Sequence, residues 1–183
     1  MRITLICLLP LLLPGCFGPK SSVVPVRWFS AEVGAWDGQA PAHTAPHANL
    51  VVAGAGSHLT TNIAWRKEAV EYGFYDLRRW TESPRTYLER AVRTLPSSLL
   101  LPGDGRAELY LEAFEEDLRE GQRHARVRLW VERWGGDVGR VDGYAIEVRQ
   151  AVEGAGPEAL ARAMREALRA SILEVLASLH SGA

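Results

Sequence analysis

NIAWRKEAVEYGFYDLRRWTESPRTYLERAVRTLPSSLLL, residues 62–101, reads as a hairpin feeding a helix. Asn62–Arg66 and Val70–Trp80 have the aromatic-rich composition of strands, and the polar run Arg66-Lys67-Glu68 separates them. The pattern breaks at Thr81-Glu82-Ser83-Pro84. Ser83 suits an N-cap, and Pro84 suits the first helical position, where a missing N–H costs nothing. Tyr87, Leu88, Ala91, Val92 and Leu95 then recur at helical spacing and predict a helix over Pro84–Leu95 with one apolar stripe. Nothing in this block has the residue types of a catalytic motif.

Working outward toward the N-terminus, Met1-Arg2 is followed by an apolar run from Ile3 to Leu13, about half the ~20 residues needed to span a bilayer. One positive charge, a short apolar core and a small-residue exit form an export signal. Its exit, Leu13-Pro14-Gly15-Cys16, resembles a lipobox, with Pro14 departing from the usual pattern. The expectation is removal of residues 1–15, acylation of Cys16, a tether over 16–25 and one domain over 26–183. The competing reading is an ordinary signal peptide with Cys16 near its cleavage site by chance. The chain has two cysteines, and Cys7 lies inside the segment to be removed. No disulfide is then available, and no thiol remains for catalysis or metal binding. An exported domain without disulfides depends on its core. The formal charge of −1 offers no basic patch for nucleic acid. Phe17 is not the aspartate that holds lipoproteins at the inner membrane of Gram-negative bacteria, and that resemblance favours the outer membrane.

Val24–Val33 has strand composition, with Val24, Val26, Trp28 and Ser30 on one side. Gly34–Asn49 reads as a loop, and His43 and His47 within it lack the further ligands of a metal site. Leu50–Leu59 reads as a strand with a bend at Gly54 and Gly56. A dinucleotide fingerprint fails there because Leu59 stands where the third glycine belongs. A nucleophile elbow around Ser57 fails because Ala55 and Leu59 replace its glycines.

Toward the C-terminus, Pro102-Gly103-Asp104-Gly105 is a turn signal, and three alternating runs follow it. Leu109, Leu111 and Ala113 share one face of Ala107–Glu115. Val127, Leu129 and Val131 share one face of Arg126–Trp134, opposite Arg126, Arg128, Trp130, Glu132 and Trp134. Tyr144, Ile146 and Val148 alternate along Val141–Val152. The three predict an antiparallel meander with one buried face. Glu115-Glu116-Asp117 reads as a solvated strand end. From Pro157 to Leu179, the positions Leu160, Ala163, Met164, Ala167, Leu168, Ser171, Ile172, Val175 and Leu179 trace one helical stripe. The fold expected is α+β: two layers, a mainly antiparallel sheet with two helices on one face, behind a lipidated tether.

The run from Ile63 to Leu95, with Trp65-Arg66, Phe74-Tyr75, Arg79-Trp80 and the helix at Pro84–Leu95, resembles the ABC-type transport auxiliary lipoproteins. The resemblance implies a non-enzymatic outer-membrane lipoprotein on the periplasmic face, accessory to an MCE-type intermembrane lipid transport system. It implies an MCE-domain protein with its ABC permease and ATPase as partners, and a capacity to form homo-oligomeric rings. It implies no cofactor beyond the lipid on Cys16. The alternatives are a lipoprotein of another envelope machine, such as lipopolysaccharide delivery, and an exported hydrolase. The last lacks a nucleophile–base–orienter set. Aromatics interleaved with Arg66, Arg78, Arg79, Arg128 and Arg133 have the composition of interface hot spots. The candidate partner-binding residues are Trp130, Trp134, Trp65, Phe74, Tyr75, Trp80 and Arg79.

Overall fold

Apolar alternation on the strands and one apolar stripe on each helix meet in a single core. The computed structural model describes residues 24–34, 36, 50–96, 106–135 and 139–181. The lipobox with Cys16, most of the tether, His43, His47 and the turn at Pro102–Gly105 lie outside them. Described strands are β1 (Arg27–Phe29), β2 (Leu50–Ala55), β3 (Asn62–Arg66), β4 (Tyr72–Trp80), β5 (Arg106–Asp117), β6 (His124–Gly135) and β7 (Gly139–Ala151). The helices are α1 (Pro84–Arg93), between β4 and β5, and α2 (Pro157–Ser181), after β7.

The strands form one mixed sheet in the order β1-β4-β3-β5-β6-β7, with β2 also paired to β5. As the alternation predicts, β5, β6 and β7 are an antiparallel meander, and β3 and β4 are an antiparallel hairpin. The parallel pairs are β1 with β4, and β2 and β3 with β5. Leu50 pairs with Ala107 and Ala64 with Glu115, so β2 and β3 run end to end along one edge of β5. β2 ends at Ala55, short of the expected Leu59, and its register shifts between Val52 and Gly54, just ahead of the first glycine.

Both helices pack on the same face of the sheet, α1 over β2 and β5 and α2 over β6 and β7. Ser83 caps α1 as its sequence predicts, its Oγ accepting from the Thr86 N–H at 3.3 Å. Every stripe residue of α2 named above is buried, opposite Leu109, Leu111, Val127, Leu129, Val131 and Ile146. Each large apolar side chain so buried stabilises by about 1.5–3 kcal/mol. Trp36, read as part of a loop, also enters the core. Its indole N–H donates to Thr94 Oγ1 at 3.3 Å, and the Arg169 guanidinium lies 5.3 Å from its ring.

Two expectations are corrected. A bulge between Leu111 and Ala113 reverses the phase of β5. Phe114, paired with Val127, therefore turns into the core, while Ala113 pairs with Arg128 on the opposite face. Glu115, Glu116 and Asp117 are not a solvated strand end; none is more than 1% exposed. Cationic side chains from β3, β6, β7 and the β5–β6 connection close over them.

Candidate functional site

No described element covers the second face of the sheet. Its composition follows from alternation: when Leu109, Leu129 and Ile146 point to the helices, their neighbours Tyr110, Trp130 and Ala145 point away. Gly54, Tyr110, Trp130 and Ala145 form one row across four strands. A side chain at position 54 would meet the Tyr110 ring, since a Cβ there would lie 3.2 Å from it. Glycine thus lets the ring lie across β2. The next outward row holds Glu108 and Glu132, and Trp134 follows, paired with Arg106. Trp130 and Trp134 are half-buried, as flat rings on an open sheet should be. The polar edge of Trp130 is tied down, its Nε1 donating to Glu132 Oε1 at 3.2 Å, and Tyr110 Oη donates to Glu108 Oε2 at 3.0 Å.

Further along the same face runs an ionic ladder. Glu115 accepts from Arg66 and from Arg126, each at 2.5 Å, and Arg126 reaches Glu147 at 2.7 Å. Arg128 joins Glu112 at 2.8 Å. Asp117 receives the Arg119 guanidinium in a forked contact at 2.6–3.1 Å and Arg149 at 3.2 Å. Burial alone would push the Asp117 carboxyl up, but its hydrogen bonds with Arg119 outweigh that and hold it at about 2. The Arg126 hydrogen bond likewise holds Glu147 below the usual carboxylate range. Arg126 itself is disfavoured as a cation by burial, yet its bonds with Glu147 and Glu115 raise it above an ordinary guanidinium. On the other side of β5, Glu116 accepts from Arg123 and from the Tyr75 hydroxyl. Burial, then that hydrogen bond, pushes the Tyr75 phenol up to about 12. Each of these carboxylates is held by at least one guanidinium, so the charges tie β3, β5, β6 and β7 together as one network. Among the described residues no group of three or more His, Cys, Asp or Glu could hold a metal ion.

Beyond the ladder, Tyr72 and Phe74 are exposed, 53% and 38%, with their rings edge to face at 6.3 Å. The Arg66 guanidinium lies 5.7 Å from the Tyr72 ring. The seven candidate partner-binding residues therefore divide. Trp130, Trp134 and Phe74 lie on the uncovered face. Trp65 is half-buried across Gly73, where any Cβ would lie 2.5 Å from its ring. Tyr75 is committed to Glu116, and Arg79 donates to the carbonyls of Tyr75 and Arg78 at 2.7 and 2.9 Å. Trp80 is corrected: it is fully buried, packed edge-on against Tyr87 and Phe114, and is core. Reasoning from the sequence passed over Tyr110, although the outward phase set by Leu109 and Leu111 marks it.

Fold and surface together define a two-layer α+β domain with one helix-covered face and one open, aromatic-bearing face. No protein-family model matches the sequence, and no curated relative is similar to it. The crystal structure of a Xanthomonas campestris protein of family DUF330 is similar at TM-score 0.66 and 19% identity, over 85% of this chain and 96% of its own. The crystal structure of an uncharacterized protein is similar at TM-score 0.54 and 7% identity, over 82% of this chain and 97% of its own. At such identities the likeness is one of fold.

Proposed function

We propose that this protein is a lipid-anchored accessory subunit of an ABC-linked, MCE-type intermembrane lipid transport system, held at the periplasmic face of the outer membrane. It acts by binding partners and performs no reaction of its own. The observation that carries the binding role is the uncovered sheet face, where Tyr110, Trp130, Trp134 and Phe74 stand among paired arginines and carboxylates. Half-buried and exposed aromatics beside satisfied charges match the core and rim of a protein interface. The lipobox-like Leu13–Cys16 supports the anchor, and the pattern from Trp65 to Leu95 supports the transport family. Neither helix is long and apolar enough to cross a membrane. Attachment through acyl chains on Cys16 needs at least two of them to be stable.

Replacing Cys16 tests the anchor. Wild-type protein should incorporate labelled palmitate and fractionate with membranes, and Cys16→Ser should abolish the label. A soluble, unlabelled wild-type protein would remove the anchor and most of the case for this family.

A further inference from the structure

We infer that the groove between β1 and the first turns of α2 is a membrane seat, shaped to rest on anionic phospholipid headgroups. This deepens the lipid-anchored reading and rests on it. The groove is shallow and open, with a volume of ≈ 330 Å³, and Trp28, Phe29, Ser30, Glu158, Arg162 and Arg165 line it. It lies at the β1 edge of the sheet, apart from the Tyr110–Trp130 row on the open face.

Three observations select a lipid surface. The chain enters the fold here: Val24 follows Cys16 by eight positions. An extended chain advances at most about 3.6 Å per residue, so an anchored Cys16 keeps this corner within roughly 30 Å of the bilayer. The entering segment is apolar and open. Val24, Val26 and Trp28, at alternate positions, are 58%, 43% and 57% exposed, an apolar cluster instead of one stray side chain. The groove is also net positive. Glu158 is neutralised by its ion pair with Arg27, Arg165 has only the neighbouring Glu166 at 3.4 Å, and Arg162 makes no ion pair among the described residues. An exposed tryptophan beside an arginine without an ion pair suits the headgroup layer, where the indole sits at the interface and the guanidinium meets lipid phosphate. Seating this corner on the membrane would fix which way the open face of the sheet points and so present its aromatics in one orientation.

The test uses full-length protein purified from membranes and reconstituted into vesicles with brominated acyl chains. One set is phosphatidylcholine alone, the other equimolar phosphatidylcholine and phosphatidylglycerol. Tryptophan quenching is measured for wild type, Trp28→Phe and Arg162→Glu, with melting curves confirming that both variants fold. Wild type should be quenched more in the phosphatidylglycerol vesicles. Trp28→Phe should lose most of that quenching, and Arg162→Glu should lose the excess that phosphatidylglycerol produces. Equal quenching of wild type and Trp28→Phe would overturn the proposal. So would an unquenched Trp28 whose replacement releases a co-purifying protein, because the groove would then be a protein contact. The mass of Cys16 is read separately. An unacylated Cys16 would fell the anchor alone, and the same vesicles added to that chain would still show whether Trp28 meets lipid.

Discussion

Arg126 is the buried cation of the ionic ladder. It is 10% exposed, and its guanidinium serves both Glu115 and Glu147. Removing one partner of a buried pair leaves a charge with neither water nor counterion, at a cost of about 3–5 kcal/mol. Arg128, two positions along, is 40% exposed and pairs with an equally open Glu112. Such a pair contributes about 0–1 kcal/mol. Arg126→Met should therefore lower stability severely in urea unfolding, and Arg128→Met hardly at all. A comparable loss from both would mean that water reaches the whole ladder. Acid should act on the same network. Asp117 titrates at about 2 in the fold against 3.8 when unperturbed, and Glu147 is also lowered. A carboxyl depressed by folding contributes stability that is complete above its unfolded value and is lost as pH falls toward its folded one. Urea midpoints should be steady above about pH 5 and fall between about pH 4 and 2, with Asp117 accounting for on the order of 1–2 kcal/mol. That figure is discounted because Arg119 is one-third exposed. Asp117→Asn should flatten the decline. Little of this network was legible in the sequence. Glu115-Glu116-Asp117 reads as a polar strand end, and its burial depends on Arg66, Arg123, Arg126 and Arg149, supplied by other segments.

At the scale of elements, patterns internal to one segment were legible and phases set by a neighbour were not. The α2 stripe, the Ser83 cap and the alternation of β6 each depend on local spacing, and each is found as predicted. The bulge after Leu111 depends on how β5 meets β6, so alternation alone places Ala113 on the wrong face and passes over Phe114. The parallel pairing of β2 and β3 with β5 joins segments far apart in the chain and leaves no local mark. The legible part can be tested on α2. Leu168 is fully buried mid-stripe, so Leu168→Ala should cost about 2–5 kcal/mol. Glu174, exposed on the same helix, should cost well under about 1 kcal/mol on replacement by Ala. Equal melting temperatures for the two variants would mean that α2 does not pack on the sheet through this stripe.

For the whole molecule, the arrangement of layers decides what is left to bind. Two helices cover one face of the sheet, and alternation then obliges the other face to carry Tyr110, Trp130 and Trp134 outward. The sequence made Trp130 and Trp134 legible as outward residues because they alternate with Val127, Leu129 and Val131. Trp80, beside the start of α1, reads from its position as the candidate nearest the core, and α1 and Phe114 do close over it. Under the proposed function the open face is the binding face, and co-purification with the MCE-type component measures this most directly. Circular dichroism and size-exclusion chromatography of the same sample report fold and self-association. The double variant Trp130→Ser, Trp134→Ser should keep its fold, because neither ring lies among the core residues under the helices. It should lose the partner, self-association, or both. A folded double variant that still assembles and still captures the component would contradict the account.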